Sequence, residues 1–232
     1  MSSESKNHNF LTESKLISAI LKLSWPAMIA MIFQSITGIT DIYFLGRIND
    51  PNAQAAIGIF AVLLSYLGAF NTIVGNGSIS VISQYYGSCN YEKANKATAQ
   101  TILLKIIGSY VLIIPCIIFI KPLLLLFGAE GEALNLGVRY GIIILSILPL
   151  MNAGYTFNTA LRAAGDAVTP MYLMLSSLIV NLILNIVFIN TLSLGIVGVA
   201  LATAISQIFL FIAGLWVYSN GKKLIKIDLK SL

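Results

Sequence analysis

The chain is poor in charge, histidine and cysteine. Only 10% of its 232 residues are charged, whereas 57% are hydrophobic and the mean hydropathy is +0.88. A soluble domain carries about 25% charged residues. The polar residues here are therefore too few to coat a soluble globule, and the sequence predicts an all-α polytopic membrane protein with the lipid bilayer as its first partner.

These shortages also exclude several kinds of functional site. The one histidine, His8, lies in a polar N-terminal tail, which removes most metal-ligand and catalytic histidine arrangements. Cys89 and Cys116 lack the spacing of a metal pair, and one falls in a polar loop and the other in an apolar helix, which argues against a disulfide. No apolar segment carries paired acids or a Ser/Lys dyad, and no basic residues cluster with aromatic ones. We expect no enzyme, no cofactor and no nucleic-acid partner.

Six apolar segments are long enough to cross a bilayer core of about 30 Å as helices. They are predicted at about residues 17–45, 55–85, 98–127, 136–160, 171–189 and 196–218. A polar tail, 1–15, precedes them and a basic segment, 219–232, follows them. The first segment is longer than a signal-peptide core and lacks a convincing cleavage site, so it is predicted to be a permanent span. Residues 1–232 are interpreted as one membrane domain.

The basic residues are distributed unequally between the two sides of such a membrane protein. Three of the 14 fall on the side away from the N-terminus, namely Arg47, Lys121 and Arg139. The remaining 11 fall on the N-terminal side: Lys6, Lys15, Lys22, Lys93, Lys96, Lys105, Arg162, Lys222, Lys223, Lys226 and Lys230. Because basic residues are enriched in cytoplasmic loops, we expect a multi-pass plasma-membrane protein with both termini in the cytoplasm.

Asp41 is the acidic residue of the first apolar segment. No charge lies between Leu23 and Thr40, and a carboxylate in such a helix is a functional-site hypothesis by default. Asp41 lies 18 residues beyond Leu23, which is about 27 Å of helix. Gln34 lies seven residues earlier on the same helix face. The alternative is a structural one, in which the carboxylate reaches the outer headgroups.

Other polar side chains reach a similar depth from later segments. Asn181 and Asn185 share one face of the fifth segment, about 20 Å and 26 Å beyond Val168. Thr203, on the sixth segment, lies near mid-depth. Packing hydrogen bonds between helices are the alternative role for the asparagines. The residues predicted to line one polar cavity are Gln34, Asp41, Asn181, Asn185 and Thr203.

Several stretches of the chain are similar, in order, to those of one transporter family. These stretches are Pro26, TDIYFLGRI with Asp41 and Gly46, SQYYGSCNYEKA with Gly87, RAAGDAVTP with Arg162, Gly165, Asp166 and Pro170, IVNLILN with Asn181 and Asn185, and LGIVGVALATAISQ with Gly195, Gly198, Thr203 and Gln207. Each is weak alone, but six in the right order are specific. On them the chain resembles the multidrug and toxic compound extrusion (MATE) transporters.

The resemblance implies the N-terminal six-helix lobe of a two-lobed antiporter that exports organic cations against a proton or sodium gradient. It matches Asp41 to the aspartate of the family's N-lobe cation site, with Gln34, Asn181 and Thr203 near it. Family members carry either Asp or Asn at the position of Asn185. With Asn there, Asp41 is the one ionisable group of the site. Both H⁺ and Na⁺ stay open as the coupling ion, and Na⁺ would bind at Asp41, Asn181 and Asn185.

The mechanism favoured by these residues is alternating access with competition for one charge. Burial favours the neutral form of a carboxyl group, and protonation would remove the charge that holds a cationic substrate. Na⁺ would instead take carboxylate, amide and hydroxyl oxygens, the ligands that hard cations prefer. Two other functions stay open: a lipid-linked saccharide flippase, which would need basic residues in its cavity, and a non-transporting truncated subunit. Because family members carry two lobes, we expect a homodimer, a second six-helix half, or a truncated product.

Overall fold

The computed structural model describes residues 16–219, with side-chain surroundings for residues 20–218. Its helices are α1 (Leu16–Ile48), α2 (Pro51–Gly87), α3 (Tyr91–Ile118), α4 (Ile120–Leu126), α5 (Gly131–Ala163), α6 (Val168–Asn185), a short π-helix (Ile186–Thr191) and α7 (Gly195–Ser219). Six helices are long and apolar enough to span a membrane, and the described range has no strand. The predicted all-α polytopic fold is confirmed. The predicted tail 1–15 and nearly all of the basic segment 219–232 lie outside the described residues.

Two of the helices begin earlier than their apolar segments because polar residues cap them. Asp50 precedes α2 and its Oδ1 accepts a hydrogen bond of 2.9 Å from the Asn52 N–H. Asn90 precedes α3, and its Oδ1 accepts one of 3.2 Å from the Lys93 N–H. Such side chains satisfy N–H groups that have no partner inside the helix. Lys105 lies inside α3 and is 1% exposed, so it is buried within the lobe and not part of a loop.

The third predicted span divides into two helices. Pro115 lies in the last turn of α3, which ends at Ile118, and α4 begins at Ile120. The Phe119 N–H between them bonds to the Pro115 carbonyl at 2.9 Å. Pro122 is the third residue of α4, where a backbone N–H has no intrahelical partner to lose. A single helix over residues 98–127 is therefore not formed.

The helices pack as two groups that meet between α5 and α7. In the first group α5 packs on α2 and α3, and in the second α6 lies between α1 and α7. One apolar core surrounds Phe60 of α2, which is fully buried, and a second surrounds Phe157 of α5. The Tyr218 hydroxyl donates to the Phe157 carbonyl at 2.9 Å and ties the end of α7 to α5. This arrangement brings α1, α6 and α7 together on one side of the lobe.

Glycine at position 141 is required by the closeness of α5 to α2 and α4. A Cβ at Gly141 would lie 2.6 Å from Phe60 Cε2 and 2.7 Å from Ile120 Cδ1. Overpacking of this kind destabilises a core by about 1–3 kcal/mol. We expect Gly141→Leu to lower the melting temperature of the detergent-purified protein by several degrees. Gly68→Leu is the matched control, because a Cβ at Gly68 would meet no atom within 4 Å. Equal melting temperatures for the two variants would contradict this packing.

Candidate functional site

Side chains from two other helices hydrogen-bond the carboxylate of Asp41 on α1. From α6, the Nδ2 groups of Asn181 and Asn185 donate to Asp41 Oδ1 at 3.1 Å and 2.9 Å. From α7, the Thr203 hydroxyl donates to Asp41 Oδ2 at 2.7 Å. Asp41 is half-buried, whereas both asparagines are 0% exposed. We call these four residues the Asp41 cluster; three helices meet at its carboxylate.

Further hydrogen bonds fix the orientation of the donors. Asn185 Nδ2 also donates to Asn181 Oδ1 at 3.1 Å, and Asn181 Nδ2 lies 3.5 Å from Thr203 Oγ1. One turn away along α6, the Ser177 hydroxyl donates to the Ser206 carbonyl of α7 at 3.0 Å. The amide groups are thus held by each other as well as by the carboxylate. Only neutral groups donate to Asp41 in the part of the chain with described side chains, so a negative charge there is stabilised but not cancelled.

The local sequence explains why α6 and α7 approach so closely at this point. Ala200, Ala202 and Ala204 surround Thr203 and are all buried, and small residues let membrane helices come close together. Directly after Asn185 the hydrogen-bond pattern of α6 widens into the π-helix Ile186–Thr191. Such segments are frequent at functional sites. The sequence gives no sign of this π-helix, which was not predicted.

Gln34 lies apart from the Asp41 carboxylate. It is exposed, and its Nε2 donates to the hydroxyl of Tyr155 on α5 at 3.0 Å. Gln34 lies two turns before Asp41 on the same face of α1, but at that level its hydrogen-bond partner is Tyr155 of α5 rather than a residue of α6 or α7. Four of the five residues predicted to share a cavity therefore make one network, and Gln34 makes a separate contact.

Two tyrosines of α5 border the site and were not predicted. Tyr155 bonds to Gln34, and Tyr140 lies within electrostatic range of the Asp41 carboxylate. Tyr140 is 8% exposed and packs edge-on to Phe60. Tyr155 belongs to the stretch NAGYTFNT, residues 152–159, which is unusually polar for a span. That stretch is the one signal from which sequence reasoning could have found it.

Unpartnered oxygens next to the cluster suit a cation or a proton. Asn185 Oδ1 is buried and accepts no hydrogen bond within residues 20–218, and the same holds for Gln207 Oε1 one turn from Thr203 along α7. A buried acceptor without a donor is unfavourable by about 1–3 kcal/mol. Asn185 faces Asp41 with its Nδ2 group; after rotation of that amide, Oδ1 would accept from a protonated Asp41 or bind Na⁺. Within the described residues no three His, Cys, Asp or Glu side chains gather as a metal site.

The match to a protein-family model covers most of the Asp41 cluster. The MatE family model matches residues 26–187 of the chain, including Asp41, Asn181 and Asn185. The chain belongs to the MATE family. This confirms the family that the sequence stretches indicated. The match stops before Thr203, which joins the cluster from α7.

Curated relatives of this MATE chain are drug exporters by name. It is 30% identical over 207 residues to "Multidrug export protein MepA" of Staphylococcus haemolyticus, covering 89% of this chain and 45% of that relative. It is also 30% identical over 202 residues to "Probable multidrug resistance protein YoeA" of Bacillus subtilis, covering 85% and 43%. The chain thus spans about half the length of the curated relatives that it matches.

Solved MATE structures share the fold over the same half. One, a crystal structure of a MATE protein in complex with MaD3S, superimposes with a TM-score of 0.90 at 27% identity, over 100% of this chain and 52% of that one. A second is a MOP superfamily transporter from Pyrococcus furiosus, described as having a binding pocket of reverse polarity and a suggested different function. It gives a TM-score of 0.89 at 27% identity, over 99% and 50%.

Proposed function

We propose that this chain is a six-helix lobe of an ion-coupled antiporter that exports organic cations, with Asp41 as the shared binding charge. The observation that carries the proposal is a carboxylate inside a membrane lobe whose hydrogen-bond donors are all neutral. A carboxylate that is stabilised but not neutralised attracts a cation. The drug-export names of relatives covering this half of their length support the same class of substrate.

The coupling ion and the substrate compete for this one charge. When Asp41 is ionised, an organic cation is held; when Asp41 binds H⁺ or Na⁺, that cation is released. A proton on the carboxyl group would donate to Asn185 Oδ1 once that amide rotates, since its Nδ2 group now faces Asp41 and its Oδ1 has no described donor. Na⁺ would take oxygens of Asp41, Asn181 and Asn185, which suit a hard cation. Because neutral Asn185 leaves Asp41 as the ionisable group of the cluster, we expect one monovalent ion per lobe and cycle.

Transport by the purified protein in lipid vesicles tests the function. A fluorescent organic cation, ethidium, is added outside, and either a Na⁺ gradient or a pH gradient is imposed with the ion concentrated inside. We expect ethidium to accumulate inside the vesicles as the coupling ion leaves them. One of the two gradients should drive this uptake, and vesicles prepared with KCl alone should show none. Accumulation that neither gradient changes would contradict ion coupling.

The two alternative functions predict different results in the same vesicles. A saccharide flippase needs positive charge to meet phosphates, but no Lys or Arg side chain bonds to the Asp41 cluster within residues 20–218. A flippase would move a lipid-linked saccharide between leaflets without any ethidium flux. A non-transporting subunit would move neither compound. Ethidium flux identifies the antiporter, and movement of the lipid-linked saccharide separates the flippase from the non-transporting subunit.

Thiol labelling tests the proposed orientation, with both termini in the cytoplasm. Cys89 is exposed in the turn between α2 and α3, on the side to which 11 basic residues were assigned. In a Cys116→Ser background, we expect a membrane-impermeant maleimide to label Cys89 only after the cells are opened. The control is a cysteine introduced at Asn49 in the opposite turn, which should react in sealed cells. Labelling of Cys89 in sealed cells would reverse the topology.

A further inference from the structure

Lys105 is a buried basic residue in the middle of α3. It is 1% exposed and lies 14 residues from the start of the helix at Tyr91 and 13 from its end at Ile118. That is about 20 Å from either end of the helix. The first turns of α3 carry Glu92, Lys93 and Lys96, so Lys105 lies about 14 Å beyond the last of these charged residues. A lysine at such depth is a functional-site hypothesis by default, and the Asp41 cluster makes no use of it.

No acidic side chain neutralises this lysine within residues 20–218. Asp41 bonds to α6 and α7, and the other described acids lie at or beside helix starts: Asp50, Glu92, Glu130, Glu132 and Asp166. The Lys105 ammonium forms no hydrogen bond or ion pair in that range. A buried charge is strongly unfavourable unless it is paired. The buried amine therefore either loses its proton or takes a negative partner from outside the described chain.

The helix opposite leaves room for the ammonium group. A Cβ placed on Gly75 of α2 would lie 3.3 Å from Lys105 Nζ and 4.0 Å from its Cε. The missing side chain therefore lets Nζ rest against the α2 backbone. Asn71 lies one turn before Gly75 on the same face, and its buried Oδ1 has no hydrogen-bond partner. Rotation of that amide would present its N–H₂ group in place of the unpartnered oxygen.

Further donors lie one turn from Lys105 along α3. Ser109 is 2% exposed, and its Oγ accepts a hydrogen bond of 2.8 Å from Asn152 Nδ2 of α5. Its own hydroxyl proton has no acceptor in the described part of the chain, and Asn152 keeps a second amide N–H. The junction of α2, α3 and α5 thus offers an ammonium, a hydroxyl and two amides, and no carboxylate.

We propose that this junction, centred on Lys105 with Ser109, Asn152 and Asn71, binds a small inorganic monovalent anion, with chloride as the fitting example. The ammonium supplies the charge, and the hydroxyl and amide groups supply hydrogen bonds to an acceptor that has no protons of its own. A lipid phosphate is a poorer match, because the site lies midway along α3 rather than at headgroup level. The proposed site is separate from the Asp41 cluster and opposite in charge.

An entry route runs along the surface between α2 and α3. A groove of ≈ 340 Å³ is lined there by Val74 and Ser78, which flank Gly75, and by Thr101 and Leu104, which flank Lys105 on α3. Ser78 and Thr101 place hydroxyl groups along this groove. Lys105 does not itself line this groove, so an anion in the groove would meet the ammonium only after the lysine side chain turns toward Ser78 and Thr101.

Direct binding of ³⁶Cl⁻ and thermal unfolding of the full chain in detergent test the proposal. Chloride is exchanged for gluconate at constant sodium and ionic strength, so that general screening stays unchanged. We expect one chloride bound per chain and a melting temperature that rises by several degrees and saturates with chloride. Lys105→Met should lose both effects, whereas Lys105→Arg, which keeps the charge, should retain them.

Two further variants keep the test decisive if Lys105→Met folds poorly. Ser109→Ala retains the lysine but removes one donor to a charged ligand, so the half-saturating chloride concentration should rise about tenfold. Asp41→Asn should leave chloride binding unchanged, since the two sites are separate. Identical melting temperatures in chloride and gluconate, or chloride binding unaffected by Lys105→Met and Ser109→Ala, would overturn the proposal.

Discussion

Replacing Asp41 with asparagine is expected to reduce ion-driven ethidium transport to the level of protein-free vesicles, while the protein stays folded and inserted. Asparagine keeps the shape of the side chain but removes the charge for which ion and substrate compete. Its amide oxygen still accepts one of the bonds now made by Asn181, Asn185 and Thr203, so the helices remain together. The measurements are vesicle transport and the elution profile of the purified protein.

The matched control is Asp50→Asn. Asp50 caps α2 through its Oδ1, and asparagine caps a helix about as well as aspartate does. This variant loses the same charge at a position outside the cluster, so we expect near-normal transport. Full transport by Asp41→Asn would instead support the structural alternative, in which the carboxylate only faces the headgroup region.

Transport is also expected to require a second six-helix lobe beside this one. Polar side chains face outward from the lobe in the middle of two spans: Gln34 and Ser35 on α1, and Thr72 and Asn76 on α2. Polar groups inside membrane spans normally face protein or water rather than lipid. A second lobe related by an axis along the membrane normal would cover them, and two copies of this chain form the simplest such pair.

Reconstitution at decreasing numbers of chains per vesicle tests whether a second lobe is required. At many copies per vesicle the chain should transport ethidium, and at no more than one copy per vesicle the flux per chain should fall to background. Two copies joined end to end by a flexible linker should keep their flux on dilution. Undiminished flux from single unlinked chains would show that one lobe is sufficient. Absence of flux from both forms at every density would point to a different chain as the second lobe.

The meeting of Asn181 and Asn185 with Asp41 was predictable from the sequence, because the rise per residue of a helix is fixed and gives the depth of each side chain. Asn181, Asn185 and Asp41 lie in rigid spans, so equal depth followed from their positions in the chain. Which helices are neighbours did not follow, and Gln34 shows the consequence. It matches Asp41 in face but contacts Tyr155 of α5, because which helix lies opposite it depends on packing rather than on periodicity.

Errors in the predicted helix boundaries had a larger effect on the prediction of functional residues. Hydropathy marks where a helix is apolar, not where it begins: capped by Asn90, α3 begins at Tyr91, seven residues before the predicted Thr98. That difference hid the burial of Lys105, which was counted among the charges of the inner surface. The π-helix after Asn185 was also beyond prediction, because its widened hydrogen bonds depend on how α6 meets α7.

The donors of the Asp41 cluster belong to α6 and α7, and the carboxylate that they bind belongs to α1. The same three hydrogen bonds therefore hold α1 against α6 and α7. If α1 moved away, the donors of fully buried Asn181 and Asn185 and of half-buried Thr203 would lose this acceptor, and a buried donor left unpaired is unfavourable by about 1–3 kcal/mol. In the proposed function, a cation that takes over the carboxylate would weaken these bonds as it binds. Occupancy and helix movement would then be linked through one side chain, and α1 would be held most firmly when the site is empty.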